Sequence, residues 1–185
     1  EFSVMSLKEF SDHAEWGTEY AYDRYNFSHI KPLVDKTGEI EGLFAIKSVI
    51  PEDKVKNLVS GNIDAYINQI YRSLKCFRDG NPVAAQLEAA DSIPCLFNVL
   101  FGLEGRLKPY YKYIQWELRN YPLKKLPWSP DILLEKTISV LKTADVSTQQ
   151  DILKTIEPII RKEGYGNVLD GWDKEKFEWI KNYSK

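Results

Sequence analysis

The chain is short of the residues that most readily announce a chemistry. Only two of its 185 residues are histidine and only two are cysteine. Cys76 and Cys95 lie in apolar stretches without metal-ligand spacing, so neither a disulfide framework nor a zinc site is expected, and a reducing, cytoplasmic setting fits. Any multi-histidine metal site would have to draw on both His13 and His29. The ten glycines form neither a GxGxxG nor a GxxxxGK[ST] phosphate loop, and GxSxG, HExxH and CxxC are all missing. No apolar run approaches the roughly 18 residues of a membrane span, and the acidic, aromatic opening is not expected to serve as a signal peptide. Charge of one sign is also lacking: 25 Lys and Arg against 27 Asp and Glu leave a formal charge of -2. That balance removes the broad positive field of non-specific nucleic-acid binding, so neither a nucleic acid nor a membrane is expected as a partner.

What is present is the material of a globular fold. Hydrophobic residues make up 43% and charged residues 28% of the chain, enough apolar content to bury a core within one domain and an appendage. Ser6-Leu-Lys-Glu9 has the capping-box form and predicts a short helix towards Trp16. Tyr25 to Val34 is rich in aromatic and β-branched residues and ends at Asp35-Lys-Thr-Gly38, which predicts one strand and a turn in which Gly38 takes a positive φ. Pro32 confines that strand to an edge. Ile40, Leu43, Phe44 and Val49-Ile50 suggest a short helix stopping at Pro51.

Beyond Pro51 the periodicity is helical almost throughout. Val55, Leu58, Val59, Ile63, Tyr66, Ile67, Ile70, Leu74 and Phe77 recur at helical steps up to Asp79-Gly80, with Gly61 as a point where the helix can split. Asn81-Pro82 starts the next helix, which runs to about Leu107 and must fold back as an antiparallel hairpin. Further helices are predicted over about 110–120, 130–143, 148–163 (Ser147 and Gln150 as a capping box, Pro158 as a kink) and 173–183. Residues 121–128 read as a surface loop. The expected fold is therefore mainly α: an antiparallel helical bundle with a short N-terminal β-strand segment.

Two constellations can carry chemistry. The helix after Asn81 is apolar nearly all round, yet Ala84, Glu88, Asp91, Cys95, Asn98 and Gly102 share one narrow sector. Buried polar groups need partners, so this seam either pairs with Arg72 and Lys75 across the hairpin or lines a cleft. The second constellation, Gly105 to Glu117, sets Arg106, Lys108 and Lys112 beside Tyr110, Tyr111, Tyr113 and Trp116. Cations among aromatics suit a phosphorylated, ring-bearing ligand; the plainer alternative is an amphipathic turn with packed aromatics and snorkelling lysines.

Asp64-Ala-Tyr-Ile-Asn, Tyr71-Arg-Ser-Leu-Lys75, Gly80-Asn-Pro-Val-Ala-Ala85 and above all Leu103-Glu-Gly-Arg-Leu-Lys-Pro-Tyr-Tyr-Lys-Tyr-Ile-Gln-Trp-Glu-Leu118 resemble the C-terminal helical half of bacterial nucleotidyltransferases related to the aminoglycoside-modifying enzymes. The likeness covers about residues 20–122. It implies that Tyr25 to Gly38 is the last strand of a catalytic domain, so that residues 1–38 are the remnant of that domain and 39–185 the helical, substrate-binding bundle. It further implies transfer of a nucleotide from an NTP to a hydroxyl acceptor, with Mg2+ held by a Gly-Ser turn and an Asp-x-Asp or Asp-x-Glu pair. This chain has no Gly-Ser, and its one Asp-x-Glu, Asp173-Lys-Glu175, lies in the final helix. The resemblance therefore implies a C-terminal fragment, fitting the opening at Glu1-Phe2 with Met5 internal; alone it would be inert, with no catalytic or metal residues and neither Mg2+ nor NTP bound. By the same resemblance Lys112, Arg106 and Tyr110 would contact the nucleotide, Glu88 and Asp91 a small-molecule acceptor, and the upstream catalytic domain would be the partner. Oligomeric state, a homodimer included, stays open.

A different class is suggested by Arg24-Tyr-Asn-Phe-Ser-His29, which fits the Arg-x4-His pattern of helical ribonucleases of the HEPN type. That alternative, a stand-alone interaction or ribonuclease module, needs both residues on a helix facing a cleft. The strand expected here places His29 otherwise.

Overall fold

A computed structural model describes residues 4–184. The chain is mainly helical, and no strand occurs among the described residues. Helix α1 (Leu7–Asp12) carries the expected capping box: Glu9 N donates to Ser6 Oγ at 3.2 Å and Ser6 N to Glu9 Oε2 at 2.7 Å.

The predicted strand is overturned. Ala21–Ser28 is a 3-10 helix, and Leu33 and Val34, which a strand would half-bury, are exposed. With no neighbouring strand to pair with, the backbone makes its hydrogen bonds locally, Ala21 N to Thr18 O and Asp23 N to Tyr20 O among them. The aromatics that mimicked strand alternation pack elsewhere. Phe27 meets Phe44 of α2 (Glu39–Lys47) at 5.5 Å between ring centroids and Phe10 of α1 at 5.6 Å. The turn before α2 forms as expected: Asp35 accepts from the amides of Thr37, Gly38 and Glu41, and Gly38 has φ +78°. These amide donors hold the Asp35 carboxyl below its ordinary range.

The centre is a hairpin of α3 (Glu52–Arg78) and α4 (Pro82–Leu103). α3 passes Gly61 without a break. Asn81 caps α4 by accepting from Ala84 N at 3.1 Å, and Pro82 takes the first helical position. Val59, Ile63, Ile67, Ile70 and Leu74 on α3 bury against Ala89, Ile93, Leu96, Phe97 and Leu100 on α4. The polar seam of α4 pairs largely within the hairpin. Arg72 Nη2 lies 2.6 Å from Glu88 Oε1, and Asn98 Nδ2 donates to Asn62 Oδ1 at 2.9 Å.

α4 also packs on α6 (Pro130–Thr143), which is capped by Ser129. α7 (Val146–Ile160) packs on α6 and α3; its cap is Asp145, which accepts from Thr148 N at 2.8 Å, rather than the expected Ser147. Three residues after Pro158 the α-pattern gives way to a π-turn, Arg161–Tyr165, with Gly164 at φ +88°. α8 (Gly166–Asp170) and α9 (Lys174–Asn182) follow, and α9 docks Phe177 and Ile180 into the core with Trp179 edge-on to Tyr71 at 5.7 Å. Between α4 and α6 lie a 3-10 turn (Tyr111–Tyr113) and α5 (Ile114–Asn120), where helix is expected throughout 110–120. No helix among the described residues is long and apolar enough to cross a membrane.

Candidate functional site

The end of α4 sets up the site. Arg106 N donates to Phe101 O at 2.9 Å and Gly105 N to Gly102 O at 2.9 Å, with Gly105 at φ +68°, so the helix stops in a Schellman turn. Only a residue without Cβ takes that φ cheaply. The reversal turns Arg106 across the Phe101 ring, 5.1 Å from its centroid, and towards α5.

On α5 the Glu117 side chain is 4% exposed. A charge so buried needs donors, and three converge on it. Arg106 Nη2 donates to Oε1 at 2.6 Å, Tyr25 Oη donates to Oε2 at 2.8 Å, and His29 Nε2 lies 2.7 Å from the same Oε2. Arg106 Nη1 also faces Glu104 Oε2 at 3.5 Å, while Glu104 Oε1 accepts from the amides of Lys124 and Lys125 and so ties down the 121–128 loop. The His29 ring stacks on Tyr121 at 4.6 Å and meets Trp116 edge-on at 5.3 Å. Above this cluster opens a cleft of about 660 Å3, lined by His29, Arg106, Glu117, Tyr121, Lys124 and Lys125 among others.

A smaller cavity of about 240 Å3 adjoins it through Arg106, with Trp16, Tyr22, Tyr25, Lys108 and Tyr110 in its wall. There the Tyr110 hydroxyl donates to Asp23 Oδ1 and accepts from Asn26 Nδ2 at 3.3 Å, and His13 Nε2 lies 3.3 Å from Asp23 Oδ2. Burial, and then the carboxylate of Glu117, push the Tyr25 phenol well above the ordinary tyrosine range; burial and Asp23 do the same to Tyr110. Burial lowers the Lys108 ammonium, which sits 4.6 Å over the Tyr111 ring.

Of the residues singled out in the sequence, Arg106 and Tyr110 line these cavities. Lys112 does not: it is exposed, 5.5 Å over the Tyr113 ring. Glu88 is engaged by Arg72, and Asp91 is exposed on α4; neither lines either cavity. The residues the sequence did not single out are Glu117, Tyr25 and Glu104. Nothing local marks them, because their partners lie far along the chain. Arg24, half of the Arg-x4-His pattern, is buried away from both cavities and donates to the carbonyls of Ala14 (3.2 Å), Ile46 (2.6 Å) and Val49 (3.0 Å).

Among the described residues no group of three or more His, Cys, Asp or Glu is placed to hold a metal ion. No family model, curated protein or solved structure matches the chain.

Proposed function

We propose that this chain is the helical, ligand-facing part of a nucleotidyltransferase, which moves a nucleotide from an NTP to a hydroxyl acceptor in the cleft over Glu117. The observation that carries the reading is the composition of that cleft: Arg106, Lys124 and Lys125 share its wall with Tyr121 and His29 around about 660 Å3. Cations suit phosphate oxygens, flat rings suit a base or a sugar face, and the volume falls within the several hundred Å3 of small-molecule sites. Arg106 on that wall and Tyr110 in the adjoining smaller cavity are the nucleotide-contact residues of this reading, with Lys112 at the exposed turn beyond them. Glu88, already paired with Arg72, has no part in it.

Magnesium does not fit the residues present. The oxygens of Glu117 are taken by Arg106, Tyr25 and His29, and those of Glu104 by Arg106 and two amides. In this reading the metal-gripping carboxylates belong to a catalytic half outside this sequence, and no step is routed through them here. The ribonuclease alternative needs the Arg24 guanidinium in a cleft, whereas it lies among backbone carbonyls.

The coding frame upstream of Glu1 tests the reading first: it should encode a Gly-Ser turn followed by Asp-x-Asp or Asp-x-Glu. Calorimetry on the protein including that region should then show NTP binding that weakens about tenfold or more in Arg106→Ala, the loss of a charge-assisted contact. An upstream frame without that signature, or affinity unchanged in Arg106→Ala, would falsify it.

A further inference from the structure

His29 is held by the site and yet open to it. Its Nε2 lies 2.7 Å from Glu117 Oε2, an oxygen that also accepts from the Tyr25 hydroxyl, while Arg106 occupies Oε1. A carboxylate accepts hydrogen bonds and donates none, so the neutral imidazole must carry its proton on Nε2 and keep its lone pair on Nδ1. Nδ1 makes no hydrogen bond among the described residues. The ring is fixed by stacking on Tyr121 at 4.6 Å and by edge contacts with Trp116 at 5.3 Å and Tyr25 at 5.9 Å. It is nonetheless 28% exposed and lines the large cleft. An oriented, tautomer-locked imidazole on the wall of a cleft has the features a general base requires.

We infer that His29 is the general base that activates a hydroxyl-bearing acceptor in this cleft, with Glu117 as the residue that positions its ring; the inference rests on the nucleotidyltransfer reading above. The acceptor O–H bond breaks and its proton passes to Nδ1. The freed oxygen lone pair forms a bond to the α-phosphorus of the NTP. The bond from that phosphorus to the oxygen bridging the α- and β-phosphates breaks, and pyrophosphate leaves with the electron pair. Nδ1 then returns its proton to solvent. The imidazolium formed in between faces Glu117, as in other carboxylate–imidazole pairs. Arg106 and Glu104 adjoin the same cleft, and the ammonium of Lys125 is 2.6 Å from Glu163, while Lys124 on that wall makes no ion pair among the described residues. An alcohol, rather than a carboxylate acceptor, is the class that needs such a base.

Two measurements test this. On the chain as it stands, 15N NMR of the His29 ring should show the neutral form protonated at Nε2; a proton on Nδ1 overturns the assignment. In the protein carrying its catalytic half, His29→Gln keeps an amide donor for Glu117 but has no basic nitrogen. Its kcat should fall about 100-fold or more while KM for the NTP stays within about twofold, and added imidazole should restore part of the rate to His29→Ala. Wild-type transfer with an unimpaired, folded His29→Gln overturns the base alone. Absence of nucleotide transfer by the wild-type protein overturns the functional reading and the base with it.

Discussion

Glu117 and His29 meet at 2.7 Å although 88 positions of chain separate them. The contact joins α5 to the segment that follows the 3-10 helix, and through Arg106 it also fixes the end of α4. Three remote stretches thus share one buried carboxylate, which makes the cluster a structural joint as well as a candidate site.

Arg106→Met should therefore cost more than an ordinary surface substitution. It strips a 25%-exposed arginine side chain from the carboxylate of a glutamate side chain that is only 4% exposed, leaving that charge under-compensated. About 2–4 kcal/mol of destabilisation is expected, allowing for the partial exposure of the arginine. In the double variant Arg106→Met/Glu117→Gln most of that loss should return. Urea unfolding of the single and double variants checks it; equal losses in both would show that the pair does not govern stability there.

Gly102→Ala tests the close approach of α3 and α4. A Cβ on Gly102 would stand 2.7 Å from Val59 Cγ2, a stiff side chain buried in the core. Overpacking of about 1–3 kcal/mol opposes the gain of about 1 kcal/mol that alanine brings inside a helix, so a net loss of stability is expected. In the Val59→Ala background the same change should become neutral or favourable. A stabilised Gly102→Ala in the wild-type background would contradict the packing described.

Arg24→Ala should loosen the N-terminal segment without touching any catalytic activity. Three backbone carbonyls lose their donor, that of Ala14 buried and those of Ile46 and Val49 partly buried, at about 2–4 kcal/mol in total. Burial already lowers the pKa of this guanidinium, consistent with its structural setting. Hydrogen exchange should quicken around Ala14 and residues 46–49, while NTP affinity of the whole protein holds. RNA cleavage by the wild type that vanishes in Arg24→Ala and His29→Ala would instead favour the ribonuclease alternative.

Alkali should weaken the fold through Tyr25. Its folded pKa is raised above the unfolded value of about 10, so between the two the folded state binds more protons. The contribution is complete below about pH 10 and is lost as pH climbs towards the folded value. Denaturant midpoints of wild type should fall from pH 10 upward, and the slope should be shallower in Tyr25→Phe. Identical slopes would mean that Tyr25 does not couple to unfolding.

Much of the helical frame was legible because its signals are local. Asn81-Pro82, Ser129-Pro130 and Ser6-Glu9 set helix starts within four residues, and the hairpin they imply brings Arg72 to Glu88 as the spacing required. The failures share one cause, dependence on distant partners. Tyr25 and Phe27 alternate as in a strand, but what they pack on is Glu117 and Phe44, neither visible in a short window. Asp145 and Ser147 both offer a cap, and only the realised backbone shows that Asp145 reaches the Thr148 amide. Glu117, in a stretch of polar and aromatic residues, carries no sign that it is buried.

The cleft is proposed to serve transfer of a nucleotide to an alcohol. The most direct test follows the α-phosphate: an NTP labelled at the α-phosphorus is incubated with the protein carrying its catalytic half and a panel of hydroxyl-bearing small molecules, with wild type and Arg106→Ala in parallel. Label on an acceptor and release of unlabelled pyrophosphate are expected, with transfer reduced at least tenfold in Arg106→Ala, a loss of about 1.4 kcal/mol or more in the transition state. Label that reaches no acceptor, or that moves equally well without Arg106, would contradict it.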